Sequence, residues 1–508
     1  MSNWNTKNNA GLRPALFFEL TQIELNSTFE VINKMSNIFS NTQKIKTTFS
    51  EFVYTLIDEF FTPFIIRELN EQRSRLKGSN HKQKYASFFI TDDQKWQQGA
   101  LLIEDKYKEQ LNNIKELVLA EIYAFNKFLY RLRKDFEDIS NIFKLKKQKI
   151  SNIKIVGSDR HNFNGSVIVL SLIHGRKFVY KPKSARHEKF LKIFLRIIFD
   201  KTESVIIPNI LNKSSYSWED FIEYSTFEKI NDLKVLYHNL GILLAVLDVL
   251  NFSDGHAENF VVSNDRYFVP VDLETICTNL SYFRTKIKTF FLLEFTGMIP
   301  SIDKTVVYQP LVREKNTLSY FPFMPYIEHD NTDLISFQYR QLIANDADKS
   351  FPSKHKIRLA NFAAEVINGL VFGYKQIEKH HSEILLLLTQ INFLSRQIVR
   401  PTLYYVWIIH RYLHPDDPAY KNFLQKSLKN LSSSIVSYEQ KFLQYGNIPV
   451  FYNKLHSTHL YDAFGKIVEK NYFDRTSYFW IKEKLNSLKS EEFIEQRKKE
   501  VLNVFCNG

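Results

Sequence analysis

Asp254, His256, Asn259 and Asp272 are the residues whose types and spacing could do chemistry. They stand in Asp254-Gly255-His256-Ala257-Glu258-Asn259, followed thirteen residues after Asn259 by Asp272-Leu273-Glu274. Asn259 and Asp272 offer hard oxygen ligands of the kind Mg²⁺ prefers. The segment between them, Phe260 to Val271, reads as a hairpin with Asn264-Asp265 at its tip. Such a hairpin brings Asn259 back beside Asp272, as a shared metal requires. A catalytic Asp, a metal-binding Asn a few residues on and a second metal-binding Asp after a hairpin is the plan of a phosphoryl-transfer site. Asp-x-His-x-x-Asn by itself is as readily a solvated or capping loop; the paired strands and the second acidic element make the case.

Lys181 ends a β-rich run, where a rigidly held ammonium can neutralise nucleotide phosphates. Alone it reads as a surface lysine. Glu188, near the start of the next helix, either pairs with Lys181 or complements the positive end of that helix. No Gly-x-Gly-x-x-Gly covers the phosphates. Its nearest substitute is Gly157 to Gly165, where Asp159 and His161 reach the phosphates or the metal, or simply make a polar turn. A third cluster, Arg396-Gln397-Ile398-Val399-Arg400-Pro401-Thr402, sets two arginines at what reads as the end of a helix stopped by Pro401. Arginine binds phosphate oxygens bidentately, but arginine at a helix C-terminus also compensates the dipole.

The elements that must position these groups follow from periodicity. Residues 13 to 145 read as helices, with Phe49, Phe52, Val53, Leu56, Ile57 and Phe60 on one face and Leu111, Ile114, Leu117 and Val118 on another. Breaks are expected at Ser79-Asn80-His81 and Thr91-Asp92-Asp93. Val167 to Leu172 and Lys177 to Pro182 form a hairpin about His174-Gly175-Arg176, and a helix follows through Phe190, Ile193, Phe194, Ile197 and Ile198. Residues 233 to 250 make a strongly apolar helix that stops just before Asp254. Residues 280 to 350 give no clear pattern. Residues 358 to 445 read as helical, with a stripe through Ile384, Leu388, Ile391 and Leu394.

Composition bounds the rest. Of 508 residues, 44% are hydrophobic, including 44 Phe and 26 Tyr, so a large core is easily built; 14 Gly and 14 Pro leave few loose linkers. The net charge of +13 suits an acidic partner or nucleotide phosphates. No Lys/Arg run is long enough for a nucleic-acid patch, and Lys144, Lys146, Lys147 and Lys149, the densest cluster, read first as a solvated face. Cys277 and Cys506 have no metal-ligand spacing and imply no disulfide framework, hence a reducing compartment. Met1 to Leu12 lacks an apolar signal core, and the longest apolar run, Leu240 to Val249, is too short to span a bilayer and carries Asp248. A cytoplasmic protein without a transmembrane segment is expected.

Together, Gly157-Ser158-Asp159-Arg160-His161, Tyr180-Lys181-Pro182-Lys183-Ser184, Tyr216 to Ile222, Asp254 to Asn259, Asp272-Leu273-Glu274, Arg396 to Thr402 and Gly446 to Phe451 resemble the dehydratase domain of class II lanthipeptide synthetases, the LanM family. Arg67 to Arg73 with Leu76-Lys77-Gly78 fits too, so the resemblance runs in order over most of the chain. It implies an α+β fold, mostly helical, with a lipid-kinase-like two-lobed core (a small β-containing lobe and a helical large lobe) and added helical subdomains. The implied division is a helical region over 1–148, the kinase-like core over 149–375 and a helical region over 376–508 that contributes phosphate-elimination residues.

The implied activity is dehydration in two steps. ATP phosphorylates Ser or Thr of a ribosomal precursor peptide carrying a leader, and phosphate is then eliminated to leave dehydroalanine or dehydrobutyrine. By motif, Lys181 contacts the nucleotide, with Asp159, His161 and Glu188 around it. Asp254 orients or deprotonates the hydroxyl, His256 supports the transferring group, Asn259 and Asp272 hold Mg²⁺, and Arg396 and Thr402 serve elimination. Asp254 and Lys181 both remain open as the elimination base. The family continues into a zinc cyclase domain of the LanC type; this sequence ends at Gly508 without a Cys-His zinc set. No zinc and no thioether formation are therefore expected, and ring closure would fall to a separate cyclase or other tailoring enzyme. Two other readings stand: a peptide or protein kinase of the same fold that stops at the phosphate ester, and a non-catalytic partner of another synthetase.

Overall fold

In a computed structural model of the chain, the described residues are 21–89, 103, 106–146, 148–156, 165–199, 207–281, 292–300, 311–312, 324–340, 352–353, 357–412, 428 and 431–507. The fold is α+β. Helices α1 (Gln22–Asn33), α2 (Thr42–Gln72), α3 (His81–Phe89) and α4 (Lys108–Ile142) come first. The expected stripes are real: Phe49, Val53, Leu56, Ile57 and Phe60 on α2, and Leu111, Ile114, Leu117 and Val118 on α4, are all buried, while Phe52 is half-buried against the same core. The break at Ser79-Asn80 precedes α3, whereas Thr91-Asp92-Asp93 lies outside the described residues.

A five-stranded antiparallel sheet follows, in the order β1 (Ile150–Val156), β2 (Val167–Leu172), β3 (Lys177–Lys181), β5 (Ser217–Asp220), β4 (Ile210–Asn212). The β2–β3 pair is the expected hairpin, with Val169 opposite Val179. Its apolar face lies on α2 and α4: the Tyr180 and Trp218 rings pack at a tilt against Phe128, and Trp218 Nε1 donates to the buried Asp135 at 2.9 Å. The first helices and the sheet thus share one core.

A second core is built around α6 (Ile230–Val249). It packs against α5 (Arg186–Phe199), α7 (Ala363–Lys379), α8 (His381–Thr389), α11 (Ser477–Ser487) and α12 (Glu491–Asn507). The α6–α7 contact is closed by glycines: a Cβ on Gly369 would lie 1.9 Å from the His238 oxygen, and one on Gly241 2.1 Å from that of Val366. Among the described residues α6 is the one helix long and apolar enough to cross a membrane, and most of it is buried in this core.

After α6 comes the two-stranded hairpin of β6 (Phe260–Val262) and β7 (Phe268–Pro270), with Phe260 opposite Pro270, as expected. A second hairpin joins β8 (Met324–Glu328) to β9 (Ser336–Arg340). A four-stranded sheet runs β10 (Leu394–Gln397), β11 (Phe451–Lys454), β12 (Leu460–Tyr461), β13 (Ile467–Glu469), beside α9 (Thr402–Tyr412) and α10 (Ser433–Leu443).

Here the sequence reading needs correction. Ile384 and Leu388 are buried on α8, but that helix ends at Thr389, and Leu394 opens a strand. Arg396 therefore lies on a strand, and Pro401 precedes a helix instead of ending one. The cause is tertiary. Arg396 pairs with Tyr452 in the sheet, and its main-chain N–H goes to the Glu274 oxygen at 2.7 Å, so a helix there would forfeit both.

Candidate active site

The loop bearing Asp254 and His256 is aimed by the end of α6. Asn251 takes a left-handed conformation (φ 51°), its N–H bonds the Asp248 oxygen and the Phe252 N–H bonds that of Leu247. This is the left-handed C-terminal cap for which Asn is the common alternative to Gly. Gly255 then passes under the helical turn Leu293–Thr296, and its N–H donates to the Thr296 oxygen at 2.8 Å. Gly297 (φ 71°) lies against it, so both positions exclude a Cβ.

Asp254, His256 and Asn259 stay together and partly open. His256 Nε2 stands 3.6 Å from Asp254 Oδ1. Asn259 Nδ2 donates to the Asp254 main-chain oxygen at 2.8 Å and to Oδ2 at 3.3 Å. With that nitrogen engaged, the amide oxygen is the atom Asn259 has for a cation. The hairpin returns as expected: the Val271 N–H donates to the Asn259 oxygen at 2.8 Å, which sets Asp272 beside this loop.

The cations facing this loop come from the strand β3 and the residues just after it. Lys181 is buried; its Nζ lies 2.5 Å from Glu219 and donates to the Val271 oxygen at 2.6 Å. Its ion pair is thus with Glu219 across the sheet, where Glu188 had been one of two expectations. Glu188 is 3% exposed and its pKa is pushed up to about 7, first by burial and then by Glu219, against the pull of Lys181 and Lys183. Burial works to lower the Lys181 pKa, but Glu219 and Glu188 outweigh it and hold it up. Lys183 sits on the acidic element itself, 2.6 Å from Asp272 Oδ2 and 3.1 Å from Glu274 Oε2.

The far cluster also arrives here. Arg396 Nη1 is ion-paired with Glu274, and its Nη2 donates to Thr402 Oγ1 at 3.2 Å. Glu274 therefore bridges Lys183 and Arg396. Thr278 Oγ1 bonds the Arg396 oxygen at 3.1 Å and Gln397 Oε1 at 3.0 Å, fixing strand β10 to the segment after Glu274. Arg400 turns away to Glu439, at 2.7 Å. Asp159 and His161 lie outside the described residues.

Lys183, Glu219 and Glu274 are the site residues that sequence reasoning left without a role. Glu274 was visible in the Asp-x-Glu spacing; Glu219 becomes visible only once β5 is paired with β3. Oxygen donors of Asn259 and Asp272, with few protein ligands, fit Mg²⁺, which keeps several waters. Among the described residues no group of three or more His, Cys, Asp or Glu side chains is arranged to hold a metal.

A family model described as "Domain of unknown function (DUF4135)" matches residues 111–454, more than half of the sequence. The chain belongs to the DUF4135 family. The DUF4135 match contains Lys181, Asp254, Asn259, Asp272, Arg396 and Thr402, while α11 and α12 lie beyond it. The chain is also similar to the lacticin 481/lactococcin biosynthesis protein LcnDR2 of Lactococcus lactis subsp. lactis, at 25% identity over 229 residues. That match covers 42% of this chain and 24% of LcnDR2, so it spans about a quarter of the length of the curated relative.

Proposed function

We propose that this DUF4135 protein is an ATP-dependent dehydratase of lanthipeptide-type biosynthesis. It would phosphorylate Ser or Thr of a ribosomal precursor peptide with a leader, then eliminate phosphate to give dehydroalanine or dehydrobutyrine. One observation supports the reading: Arg396, whose guanidinium also meets Thr402 Oγ1, is ion-paired with Glu274, two residues beyond Asp272. The similarity to a lacticin 481 biosynthesis protein supports the peptide substrate. In this reading the five-stranded sheet is the small lobe and α6 with its loop begins the large lobe of a lipid-kinase-like core over 149–375, flanked by helical regions 1–148 and 376–508.

Lys181 would contact the nucleotide phosphates. Asp254 would accept or orient the substrate hydroxyl proton while the oxygen bonds the γ-phosphorus and the bond to ADP breaks. His256, whose Nε2 stands 3.6 Å from Asp254 Oδ1, would steady the transferring group. Asn259 and Asp272 would hold Mg²⁺, which supplies charge neutralisation on the phosphates. In the second step a base removes the α-proton, its electron pair forms the C=C bond, and the Cβ–O bond breaks to release phosphate. Arg396 would stabilise the departing oxyanion, with Thr402 orienting the guanidinium. None of these steps calls for zinc.

A second reading has a specific observation in its favour. Glu274 and Thr402 occupy the Arg396 guanidinium, and an arginine kept there would not reach a departing phosphate, which would leave a kinase that stops at the phosphate ester. Incubation with Mg²⁺, a candidate precursor peptide and ATP labelled at its γ-phosphoryl group tests the first step. Label should pass to the peptide or appear as free phosphate, and Asp254→Asn should abolish both. Peptide-dependent label transfer that survives in Asp254→Asn would overturn the assignment.

A further inference from the structure

Behind the loop of Asp254 and His256 lies a buried charge cluster that no step above uses. Asp248, in the last turn of α6, is fully buried. Its Oδ1 accepts from Lys484 Nζ at 2.8 Å, and its main-chain oxygen accepts from the same ammonium at 2.7 Å. Its Oδ2 accepts from the Tyr374 hydroxyl at 2.7 Å and lies 3.3 Å from Arg497 Nε. Arg497, 1% exposed, donates from Nη1 to the two oxygens of Glu500 at 2.9 and 3.2 Å. Glu500 in turn accepts the Leu293 main-chain N–H at 2.6 Å. Leu293 opens the turn whose Thr296 oxygen holds the Gly255 N–H. A continuous hydrogen-bonded path therefore runs from α12 to the peptide between Asp254 and Gly255.

Stability alone does not explain this arrangement. Buried ion pairs often do no better than well-packed apolar residues of the same volume, because desolvation offsets the attraction. Here Arg497 Nε, ion-paired with Asp248 at 3.3 Å, and Nη2 are also buried without a hydrogen-bond partner among the described residues. What the cluster does supply is direction. Asp248 and Phe493 fix the Arg497 guanidinium, the guanidinium fixes the Glu500 carboxylate, and the carboxylate fixes where Leu293–Gly297 lies against Gly255.

We propose that Glu500, held by Arg497 and Asp248, is a positioning residue that sets the Leu293–Gly297 turn and, through it, the Asp254–His256 loop. The structural part stands by itself; its kinetic consequence rests on the phosphoryl-transfer reading. Amide hydrogen exchange in the full chain tests the structural part, with Glu500→Gln compared against Glu500→Leu. Gln keeps an acceptor for the Leu293 N–H and Leu does not. Relative to the rest of the second core, exchange at 250–259 and 292–298 should rise about tenfold or more in Glu500→Leu and not in Glu500→Gln, with α2 and α4 unchanged in both. In peptide phosphorylation, Glu500→Leu should lose roughly 10- to 100-fold in kcat with KM for ATP unchanged, and Glu500→Gln should retain most of it.

A merely structural Glu500 would raise exchange evenly across the second core in both variants, with no excess at 250–259 and 292–298, and that result overturns the proposal. So does wild-type protection of both segments in Glu500→Leu. If Glu500→Leu does not fold, Glu500→Asp replaces it: a carboxylate one methylene shorter keeps the charge but draws back from Leu293. The same rise at 292–298 is then expected, and its absence refutes the inference. If exchange behaves as expected but the wild-type protein phosphorylates no peptide, the functional reading fails and the positioning inference stands.

Discussion

Gly255→Ala is a substitution whose effect can be worked from distances. A Cβ at Gly255 would meet Met298 Cγ, Met298 N and Thr296 O, each at 2.5 Å. Two of these are backbone atoms and cannot rotate away. Ordinary contact begins at 3.4 Å, so the loop and the turn must part by about 0.9 Å. Overpacking of this kind costs about 1–3 kcal/mol of stability. The kinetic cost should be of similar size, because Asp254 and His256 flank the substituted residue and move with it. A displacement near 1 Å costs on the order of 100-fold in rate, or about 2.7 kcal/mol of barrier. Initial rates of peptide modification, measured below the onset of thermal unfolding and over a range of ATP concentrations, would show it as a fall in kcat. Activity within about threefold of wild type in a folded Gly255→Ala protein would refute the claim that the Leu293–Gly297 turn places the catalytic loop.

Arg396→Met and Thr402→Ala should each accumulate phosphopeptide with little dehydration, read by intact peptide mass; full dehydration by both would end the elimination assignment. Glu219→Gln leaves the Lys181 ammonium, whose side chain is 9% exposed, without its charged partner, and should cost about 3–5 kcal/mol in denaturant unfolding. An unchanged midpoint would refute that pairing. Glu188 titrates higher in the folded chain, near 7 against an ordinary 4.5, chiefly because it is buried. A raised folded pKa gives stability that is full below the ordinary value and is lost as pH rises to about 7. Glu188→Gln should flatten that part of the stability–pH curve, and an unaltered slope would contradict the assignment.

Local pattern was a good guide wherever a segment's partners were near in sequence. The β2–β3 hairpin, the β6–β7 hairpin and α6 follow directly from alternation, turn residues and apolar density. The same holds for the placement of Asn259 beside Asp272, because the hairpin alone closes that gap. What local pattern missed was decided by distant partners. Strand β10 reads as helix because Ile391 and Leu394 continue the spacing of Ile384 and Leu388, yet Tyr452 and the Glu274 main chain claim it. Lys181 could not be matched to Glu219 before β5 was known to lie beside β3. The Leu293–Gly297 turn carries no periodicity, and its importance lies in two glycines meeting across about forty residues of sequence. Arg396 and Glu274 both stand out by residue type and spacing; that they meet needs the fold.

The most direct test of the central claim is the intact mass of the precursor peptide after incubation with this protein, ATP and Mg²⁺. The account predicts loss of water units from Ser and Thr, with phosphorylated peptide present only in passing. Stable gain of phosphate units without loss of water would contradict it and leave a kinase whose Arg396 and Thr402 do not eliminate.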